Sequence, residues 1–295
     1  MPEERLVVVP GGDGSATARR LVGLMEAEFV TGKGRTGRLS RLYPDAFASP
    51  RHGRLFGLVA STGEAVAALA VRLFRIRRAG LARTGAMIGF VVTRPEDRGR
   101  GLGARLMDET AVHLRESGID VGVLWGRRPD LYLKLGWQAS DTSLLGRWQG
   151  AAGATGKVAW AKSPFAAALG RRLNRLRPAP AIERPALVYA KRPYPAERLW
   201  VATTSGGYAI IGEAAGTGYA FEVGGRPEAA PDLLASAATR WPDLRVNGST
   251  TDPTSRHLGK TGLVAFQPNP LAMWLSLATR FRKRDAIWIP YFDRI

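Results

Sequence analysis

The stretch at residues 88–104, IGFVVTRPEDRGRGLGA, constrains the fold more than any other part of this 295-residue chain. An apolar run suited to a buried strand ends before Pro95, and an apolar pattern of helical spacing begins at Leu102. The glycines between them lack the Cβ atoms that keep a ligand away from backbone N–H groups, and the first turn of a helix leaves such groups unpaired. Because the helix dipole attracts negative charge to the same place, the pattern predicts a site for a phosphate or pyrophosphate.

The neighbouring segments predict a mixed α/β fold. Strand candidates at 54–61 and 65–76 flank the turn TGE and form an antiparallel hairpin, and a further strand is predicted at 119–126. A helix is predicted over 16–30, with Ser15 or Thr17 as its N-cap. The first half is therefore expected to be α/β, with a mixed central sheet of the α+β kind.

Composition excludes several classes of protein. The chain has no cysteine, so disulfides, thiol nucleophiles and cysteine-ligated metals are excluded, and its three histidines stand at no ligand spacing, so no metal is expected. The N-terminus lacks a signal-peptide pattern and no apolar run is long enough to span a membrane, which predicts a soluble, cytoplasmic protein. The net charge of +18 would attract an anionic partner, but no zinc-finger, heptad or aromatic pattern points to nucleic acid.

Three readings of the glycine turn stay open at this point. GRGLGA also fits a dinucleotide-binding pattern, with Asp120 at the distance of a ribose-binding acid, but Pro95 and the polar EDR separate the glycines from the strand. A Walker A loop is excluded, because GKTG at 259–262 lacks the earlier glycine of that motif. A glycine-rich turn without a ligand is the remaining alternative to the phosphate site.

Two motifs in order resemble the GCN5-related N-acetyltransferases (GNAT). VTRPEDRGRGLGARLM resembles motif A of that family, in which Arg or Gln, two residues, Gly, one residue and then Gly or Ala follow one another. LYLKLGW at 131–137 resembles a later segment of the family, and a predicted strand separates the two motifs. The resemblance covers roughly residues 5–150 and implies a GNAT fold in the first half.

The resemblance also implies site residues, with acetyl-CoA as the acyl donor. The strand backbone would pair with the pantetheine arm, and an N–H near Val91 or Val92 would polarise the thioester carbonyl. Tyr132 matches the family position that returns a proton to the leaving thiolate. The alternative is that Tyr132 has only a packing role on a short helix predicted within PDLYLKLGW at 129–137. The residues implied in acetyl-CoA binding are Val91, Val92, Thr93, Arg98, Gly99, Arg100, Gly101, Leu102, Gly103 and Ala104.

The general base is the weak point of this assignment. Family members often carry a glutamate on the strand before motif A, but AMIGFVVT has no acid. Glu26, Glu28 and Asp45 fall where the family lines its acceptor site, and each is expected to be a surface charge. The lone His52 and His113 receive no role.

The remaining sequence predicts further units. We expect a catalytic domain at 1–150, a basic connector with a short amphipathic helix at 151–192, and a second, degenerate GNAT-like α/β domain at 193–295. The second domain repeats the order of elements, but VGGRPEAAPD replaces the glycine turn. The final AIWIPYFDRI is expected to be ordered and strand-like. A resemblance to multi-domain bacterial acetyltransferases suggests the Ile295 carboxylate as the base.

The sequence therefore predicts an acyl-CoA-dependent N-acyltransferase that transfers acetyl from acetyl-CoA to a primary amine of a small molecule or peptide. The alternatives are a non-catalytic acyl-CoA-binding regulatory module and a basic protein acting on nucleic acid or the ribosome. No membrane partner is expected, and a homodimer stays open.

Overall fold

The structure, a computed structural model, describes residues 4–78, 81–165, 167–177, 182–278 and 286–295. The basic run RFRKR at 280–284 and residues 178–181 of the expected connector lie outside these residues. The chain divides into two compact units. Unit 1 contains Met1–Ser140, Leu271–Ala286 and Ile295, and unit 2 contains Asp141–Pro270 and Ile287–Arg294.

Strands and helices are interspersed along the described chain. The strands are β1 Arg5–Pro10, β2 Gly53–Val59, β3 Ala65–Arg78, β4 Leu81–Thr93, β5 Val121–Trp125, β6 Gln138–Ala139, β7 Ser143–Trp148, β8 Ala159–Lys162, β9 Arg198–Thr203, β10 Gly207–Ala214, β11 Thr217–Gly225, β12 Leu244–Ser249, β13 Val264–Pro268 and β14 Ala272–Ser276. The helices are α1 Ala16–Phe29, α2 Leu39–Leu42, α3 Pro44–Phe47, α4 Leu102–Glu116, α5 Pro129–Leu133, α6 Ala167–Leu176, α7 Ala230–Ala238 and α8 Pro253–Lys260.

The strands form two seven-stranded mixed sheets with the same order of connections. The first sheet runs β1-β2-β3-β4-β5-β14-β6 and the second runs β8-β9-β10-β11-β12-β7-β13. Each sheet contains one parallel pair, β4 with β5 and β11 with β12, and takes one strand, β14 or β7, from the other half of the sequence. The mixed α/β fold expected for both halves is confirmed.

Helices cover both faces of each sheet. In unit 1, α4 packs on one face through Leu106 and Met107, and α1 packs on the other through Leu21 and Met25. In unit 2, α7 and α8 contribute to the core on one face, and α6 and the segment around Phe292 contribute to the core on the other. Both sheets are thus central layers, as expected when the only parallel strands are buried.

Local signals placed α1 and α4 well, but α2 and α3 lie in a segment that was expected to be a loop. Ser15 caps α1, because its Oγ accepts a hydrogen bond from the Ala18 N–H at 3.1 Å. The helix predicted from Leu102 to Gly118 is α4, and Gly118 adopts the left-handed conformation that commonly ends a helix.

The second half departs from the expected elements at two places. The segment treated as a connector at 151–192 contains β8, which pairs with β9, and the boundary drawn at residue 150 follows β7, a strand of the second sheet. The strand-like tail is wrong: the described residues from 286 form no strand, and Tyr291–Asp293 is a single 3₁₀ turn after Pro290, which has no N–H for a ladder. Phe292 and Asp293 are fully buried, so packing orders this tail.

Candidate functional site

Strand β4 carries a bulge two residues before its end. Gly89 pairs with Ala70 and Val92 pairs with Ala68, so Phe90 and Val91 together face a single residue of β3. Phe90 has φ = 57°, a left-handed conformation that is rare for a bulky residue. Backbone strain of this kind clusters at functional sites, where the surrounding structure holds it in place.

Three aromatic rings hold the Phe90 side chain. Phe29 at the end of α1, and Tyr43 and Phe47 around α3, each meet its ring edge to face, with centroids 5.3, 4.9 and 5.1 Å away. Such pairs contribute about 0.5–1.5 kcal/mol each beyond the burial of their area. These contacts oppose the strain at the bulge and fix the backbone around Val91.

The edge of β4 toward β5 opens at the same level. The parallel ladder consists of Gly85 with Val121, Ala86 with Gly122 and Met87 with Val123. Beyond Met87, β4 continues to Thr93, and among the described residues no strand pairs with this edge of it. The backbone groups of β4 on this edge after the bulge are therefore placed to bind an extended ligand.

The glycine turn connects this edge to α4. A 3₁₀ turn, Pro95–Asp97, is followed by Gly99 and Gly101, whose φ values of 82° and 76° favour glycine. Gly101 is the N-cap of α4, no side chain caps the helix, and its first turn has no acidic residue. The unpaired N–H groups of this turn and the positive end of the dipole together form a site suited to an anion.

The turn is held by a buried carboxylate. Asp97 is 6% exposed and accepts hydrogen bonds from Arg94 Nε at 2.6 Å and from Arg100. The Arg94 guanidinium holds the pKa of Asp97 below its ordinary value. Arg100 also donates to Glu4 at 2.6 Å, so two carboxylates compensate its charge, and its contacts shape the turn.

Arg98 lies on the surface of the turn. Its side chain is 56% exposed, lies 3.1 Å from a Glu28 oxygen and donates weakly to the Thr93 carbonyl at 3.3 Å. Gly103 touches the same strand end, since a Cβ atom there would meet Thr93 Oγ1 at 3.2 Å. The first turn of α4 is thus packed directly against the end of β4.

Tyr132 lies beyond the end of β5, on α5. Its half-buried ring packs edge to face with Trp137 at 6.4 Å and lies against Gly126, where a Cβ atom would be 2.8 Å away. Among the described contacts, the hydroxyl makes no hydrogen bond. Burial raises the pKa of Tyr132 above its ordinary value. The phenol therefore stays protonated in any ordinary buffer.

Two of the acids near the expected acceptor region already have partners. Glu26 accepts from the Leu39 N–H at 2.8 Å, and Glu28 pairs with Arg98. The sequence suggested that Asp45 is a surface charge, and this is wrong. Its carboxylate is fully buried, 2.9 Å from Arg72 Nε. The pair arises because β3 carries Arg72 toward α3, a contact between distant parts of the sequence.

The two histidines of unit 1 have local contacts. His52 Nδ1 lies 3.0 Å from Ser49 Oγ, and burial, with the Arg72 charge, lowers the pKa of His52. His113 on α4 meets the Phe56 ring edge to face. In the part of the chain that the structure describes, no group of three or more His, Cys, Asp or Glu residues could hold a metal.

The main chain of Ile295 lies against β4. A Cβ atom on Gly89 would meet the Ile295 carbonyl oxygen at 2.9 Å, one residue before the bulge. The bulge itself was missed by sequence reasoning. A run of strand-forming residues carries no signal for it, because the left-handed residue is a phenylalanine and not a glycine.

No helix within the described ranges is long and apolar enough to cross a membrane. Residues 38–140 match the family model of the acetyltransferase (GNAT) domain. Among curated proteins, no sequence matches the chain.

Solved structures match almost the whole chain in fold. A conserved protein of Enterococcus faecalis V583, described as a probable N-acyltransferase, has a TM-score of 0.70 at 14% identity, over 93% of this chain and 72% of that one. A GCN5-related N-acetyltransferase from Kribbella flavida has a TM-score of 0.64 at 20% identity, over 92% and 71%. A tandem GNAT protein from the clavulanic acid biosynthesis pathway has a TM-score of 0.54 at 11% identity, over 94% and 100%.

Residues 38–140 therefore match a GNAT acetyltransferase domain, and the chain shares the two-unit fold of a tandem GNAT protein.

Proposed function

We propose that unit 1 is an acyl-CoA-dependent N-acyltransferase that transfers acetyl from acetyl-CoA to a primary amine of a small molecule or peptide. The observation that carries the proposal is the continuity of three features. The strained bulge at Phe90, the unpaired edge of β4 and the uncapped start of α4 at Gly101 follow one another along the chain. Together they offer a binding path from a reacting group to a pyrophosphate.

The backbone does the binding in this proposal. The N–H groups of residues 98–104 hold the pyrophosphate, helped by the dipole of α4. Val91, Val92 and Thr93 pair with the pantetheine arm as a missing strand would. The N–H near Val91 or Val92 donates to the thioester oxygen, where negative charge develops as the bond is attacked.

Acetyl-CoA is a substrate here and supplies the thioester. The neutral amine nitrogen forms the new bond to the acyl carbon, the carbon–sulfur bond breaks, and the sulfur leaves as a thiolate. Tyr132 gives its phenol proton to that sulfur and is later reprotonated from solvent. Its raised pKa suits it to this role, because the donor must still carry its proton when the thiolate leaves.

The amine loses a proton in the same reaction, and the hypothesis that the Ile295 carboxylate accepts it stays a prediction. It is supported by the position of the Ile295 main chain beside Gly89. Deletion of the last two residues should lower kcat by about a hundredfold, the scale of general base catalysis, while Ile295→Ala, which keeps the main chain, should change it little. Unchanged turnover in the deletion variant would contradict the hypothesis.

The test of acetyl-CoA binding uses two glycines at opposite ends of α4. Gly101 and Gly118 have φ values of 76° and 74°, and a Cβ atom at either would have no neighbour within 4 Å. Alanine therefore introduces a similar strain of about 1 kcal/mol at each, but only Gly101 belongs to the anion site.

Isothermal titration should show micromolar binding of acetyl-CoA to the wild type, with NAD as a negative control. Gly101→Ala should weaken binding by about tenfold or more, and Gly118→Ala should leave it unchanged. Absence of binding, or equal effects of the two substitutions, would overturn the proposal. If acetyl-CoA binds but no amine is acetylated across an acceptor screen, the chain is the acyl-CoA-binding module and not an enzyme.

A further inference from the structure

A hollow of about 490 Å³ opens beside α7 in unit 2, which contributes none of the side chains assigned above to acyl transfer. Lys157, before β8, and Arg172, on α6, contribute cations to its wall. Hydroxyl groups come from residues 203–205 at the end of β9, and Asp232 comes from the first turn of α7. Four separate segments therefore converge on one concave surface, whose volume is that of a small-ligand site.

The two cations are available to a ligand. Lys157 is exposed, and no ion pair of its ammonium group is found in the described part of the chain. Arg172 donates one N–H to the Thr204 carbonyl at 2.9 Å, a bond that fixes the guanidinium at the wall without neutralising it. Two positive groups held at one hollow favour an oxyanion.

Thr203 provides the most specific evidence. Its side chain is only 6% exposed, it lines the hollow, and its hydroxyl makes no hydrogen bond to any described residue. The fully buried side-chain atoms without a partner in the described residues do not include this hydroxyl, so it is open to the hollow and available to a ligand. The neighbouring Thr204 hydroxyl, in contrast, accepts from the Gly207 N–H at 3.0 Å. A ligand oxygen in the hollow would satisfy the Thr203 hydroxyl.

Asp232 narrows the choice of ligand. One of its oxygens accepts hydrogen bonds from the Thr155 N–H at 3.1 Å and from the Thr155 hydroxyl at 2.9 Å, which hold the carboxylate at the wall. A carboxylate beside two cations disfavours a bare inorganic anion but accepts a hydrogen from a hydroxyl or amino group of the same ligand.

We propose that this hollow binds a small phosphate monoester that also carries a hydroxyl group, with Lys157, Arg172 and Thr203 at the phosphate and Asp232 at the hydroxyl. The site does not depend on acyl transfer in unit 1. It gives the unit without a glycine turn a ligand of its own.

The probe is glycerol 3-phosphate, with inorganic phosphate as the comparison, titrated into the full chain at constant ionic strength. Affinity is measured calorimetrically, and amide chemical shifts of residues 203–205 report the place of binding. Lys157→Ala and Thr203→Val should each weaken binding of glycerol 3-phosphate by about tenfold, the scale of one charge-assisted hydrogen bond. Arg171→Ala, an exposed neighbour on α6 outside the hollow, should leave binding unchanged.

Asp232→Asn gives an internal check. It should strengthen binding of inorganic phosphate, because a negative charge is removed, and should reduce the preference for glycerol 3-phosphate, because a neutral amide oxygen is a weaker acceptor than a carboxylate.

Three results would overturn the proposal. Absence of binding at 10 mM probe, on the order of the weakest useful affinity, is one. Loss of binding in Gly101→Ala but not in Lys157→Ala would place the phosphate at the start of α4. Equal weakening by Arg171→Ala and Lys157→Ala would show only attraction to a basic surface.

Discussion

In both units the same three residues follow the strand that leads to a long helix, α4 in unit 1 and α7 in unit 2, but the segments after these three residues differ. Arg94, Pro95 and Glu96 follow β4, and the same Arg-Pro-Glu, at 226–228, follows β11; in both places a 3₁₀ turn begins at the proline. In unit 1, residues 97–101 then lead to α4, whereas in unit 2 Ala229 alone precedes α7. One fold therefore accommodates both turns, and the proposed anion site depends on a short glycine-containing insertion.

The two units also differ at the end of the parallel ladder, β4 with β5 in unit 1 and β11 with β12 in unit 2. Both parallel ladders have three pairs, ending at Met87 with Val123 in unit 1 and at Ala220 with Val246 in unit 2. In unit 2 the Asn247 side chain donates to the Ala220 carbonyl at 3.2 Å, which occupies the end of the ladder. The polar groups that a ligand would use in unit 1 are satisfied internally in unit 2.

Buried charges fill the next part of unit 2. Glu222 and Asp293 accept hydrogen bonds from Arg184 Nη2, and Glu222 also accepts one from the Tyr208 hydroxyl. The corresponding part of β4 has the strained Phe90, while among the described non-glycine residues of unit 2 only Ala215, in the β10–β11 turn, has a positive φ. Unit 1 thus keeps strain beside an open edge, and unit 2 has a closed polar network.

The short helices α5, after β5, and α8, after β12, show the same contrast between the two units. Both helices begin with a proline, Pro129 in α5 and Pro253 in α8. Three residues after that proline, α5 has Tyr132 and α8 has Arg256. A guanidinium stays charged and cannot serve as a proton donor at neutral pH. The proposed chemistry therefore belongs to unit 1 on two independent grounds.

The largest effect is expected when the turn of unit 1 is converted into that of unit 2. Replacing residues 97–101 by one alanine should weaken acetyl-CoA binding by about a hundredfold to ten-thousandfold, since two charge-assisted hydrogen bonds of about 1.5–3 kcal/mol each are removed. The wild type should bind one acetyl-CoA per chain by calorimetry, and the variant none. Binding of two acetyl-CoA molecules per wild-type chain would contradict the conclusion that only unit 1 has the site. Circular dichroism and the melting temperature check that the variant folds.

The buried network of unit 2 should have the next largest effect. Asp293→Asn should lower the free energy of unfolding of unit 2 by about 3 kcal/mol, because the buried Arg184 loses one of its two charged partners. Asp243→Asn is the matched control. Asp243 pairs with the exposed Arg147, so its loss should cost less than about 1 kcal/mol. Denaturant unfolding measures both, and equal costs would show that the network is not what closes unit 2.

Tyr132→Phe should lower kcat by about a hundredfold and leave the Kd for acetyl-CoA unchanged, because the ring packing on Trp137 is kept and only the proton donor is lost. Steady-state kinetics and calorimetry separate the two quantities. Tyr194→Phe, at an exposed tyrosine, is the control. Wild-type turnover in Tyr132→Phe would remove the second ground for assigning the chemistry to unit 1.

The smallest effect concerns pH. The protonated phenol is the active form of Tyr132, and burial raises its pKa above the ordinary value of 10.0, so activity should not fall through loss of this proton below about pH 10. The pH profile of kcat should therefore lack a basic limb between pH 8 and pH 10. A limb in that range that disappears in Tyr132→Phe would show that the pKa is lower than burial implies.

Sequence patterns were informative where local structure decides. The left-handed glycines at 99 and 101, the start of α4 and the Ser15 cap are set by nearby residues, so the strand–turn–helix and the β2–β3 hairpin of the first sheet could be predicted. The partners and burial of the charged side chains could not be predicted in this way. Arg100 donates to Glu4, 96 positions earlier in the chain, and Asp45 is buried against Arg72 because a helix and a strand meet there.

The sequence by itself determined a mixed α/β chain with a glycine turn at the start of one helix, where we propose an anion site, since glycine conformation and hydrophobic period are local properties. Only the tertiary structure decided that β7 belongs to the second sheet and β14 to the first, that Phe90 forms a bulge, and that the tail is ordered by burial. Strand pairing and burial depend on partners far away in the chain, and the order of residues carries little information about which distant segment will supply them.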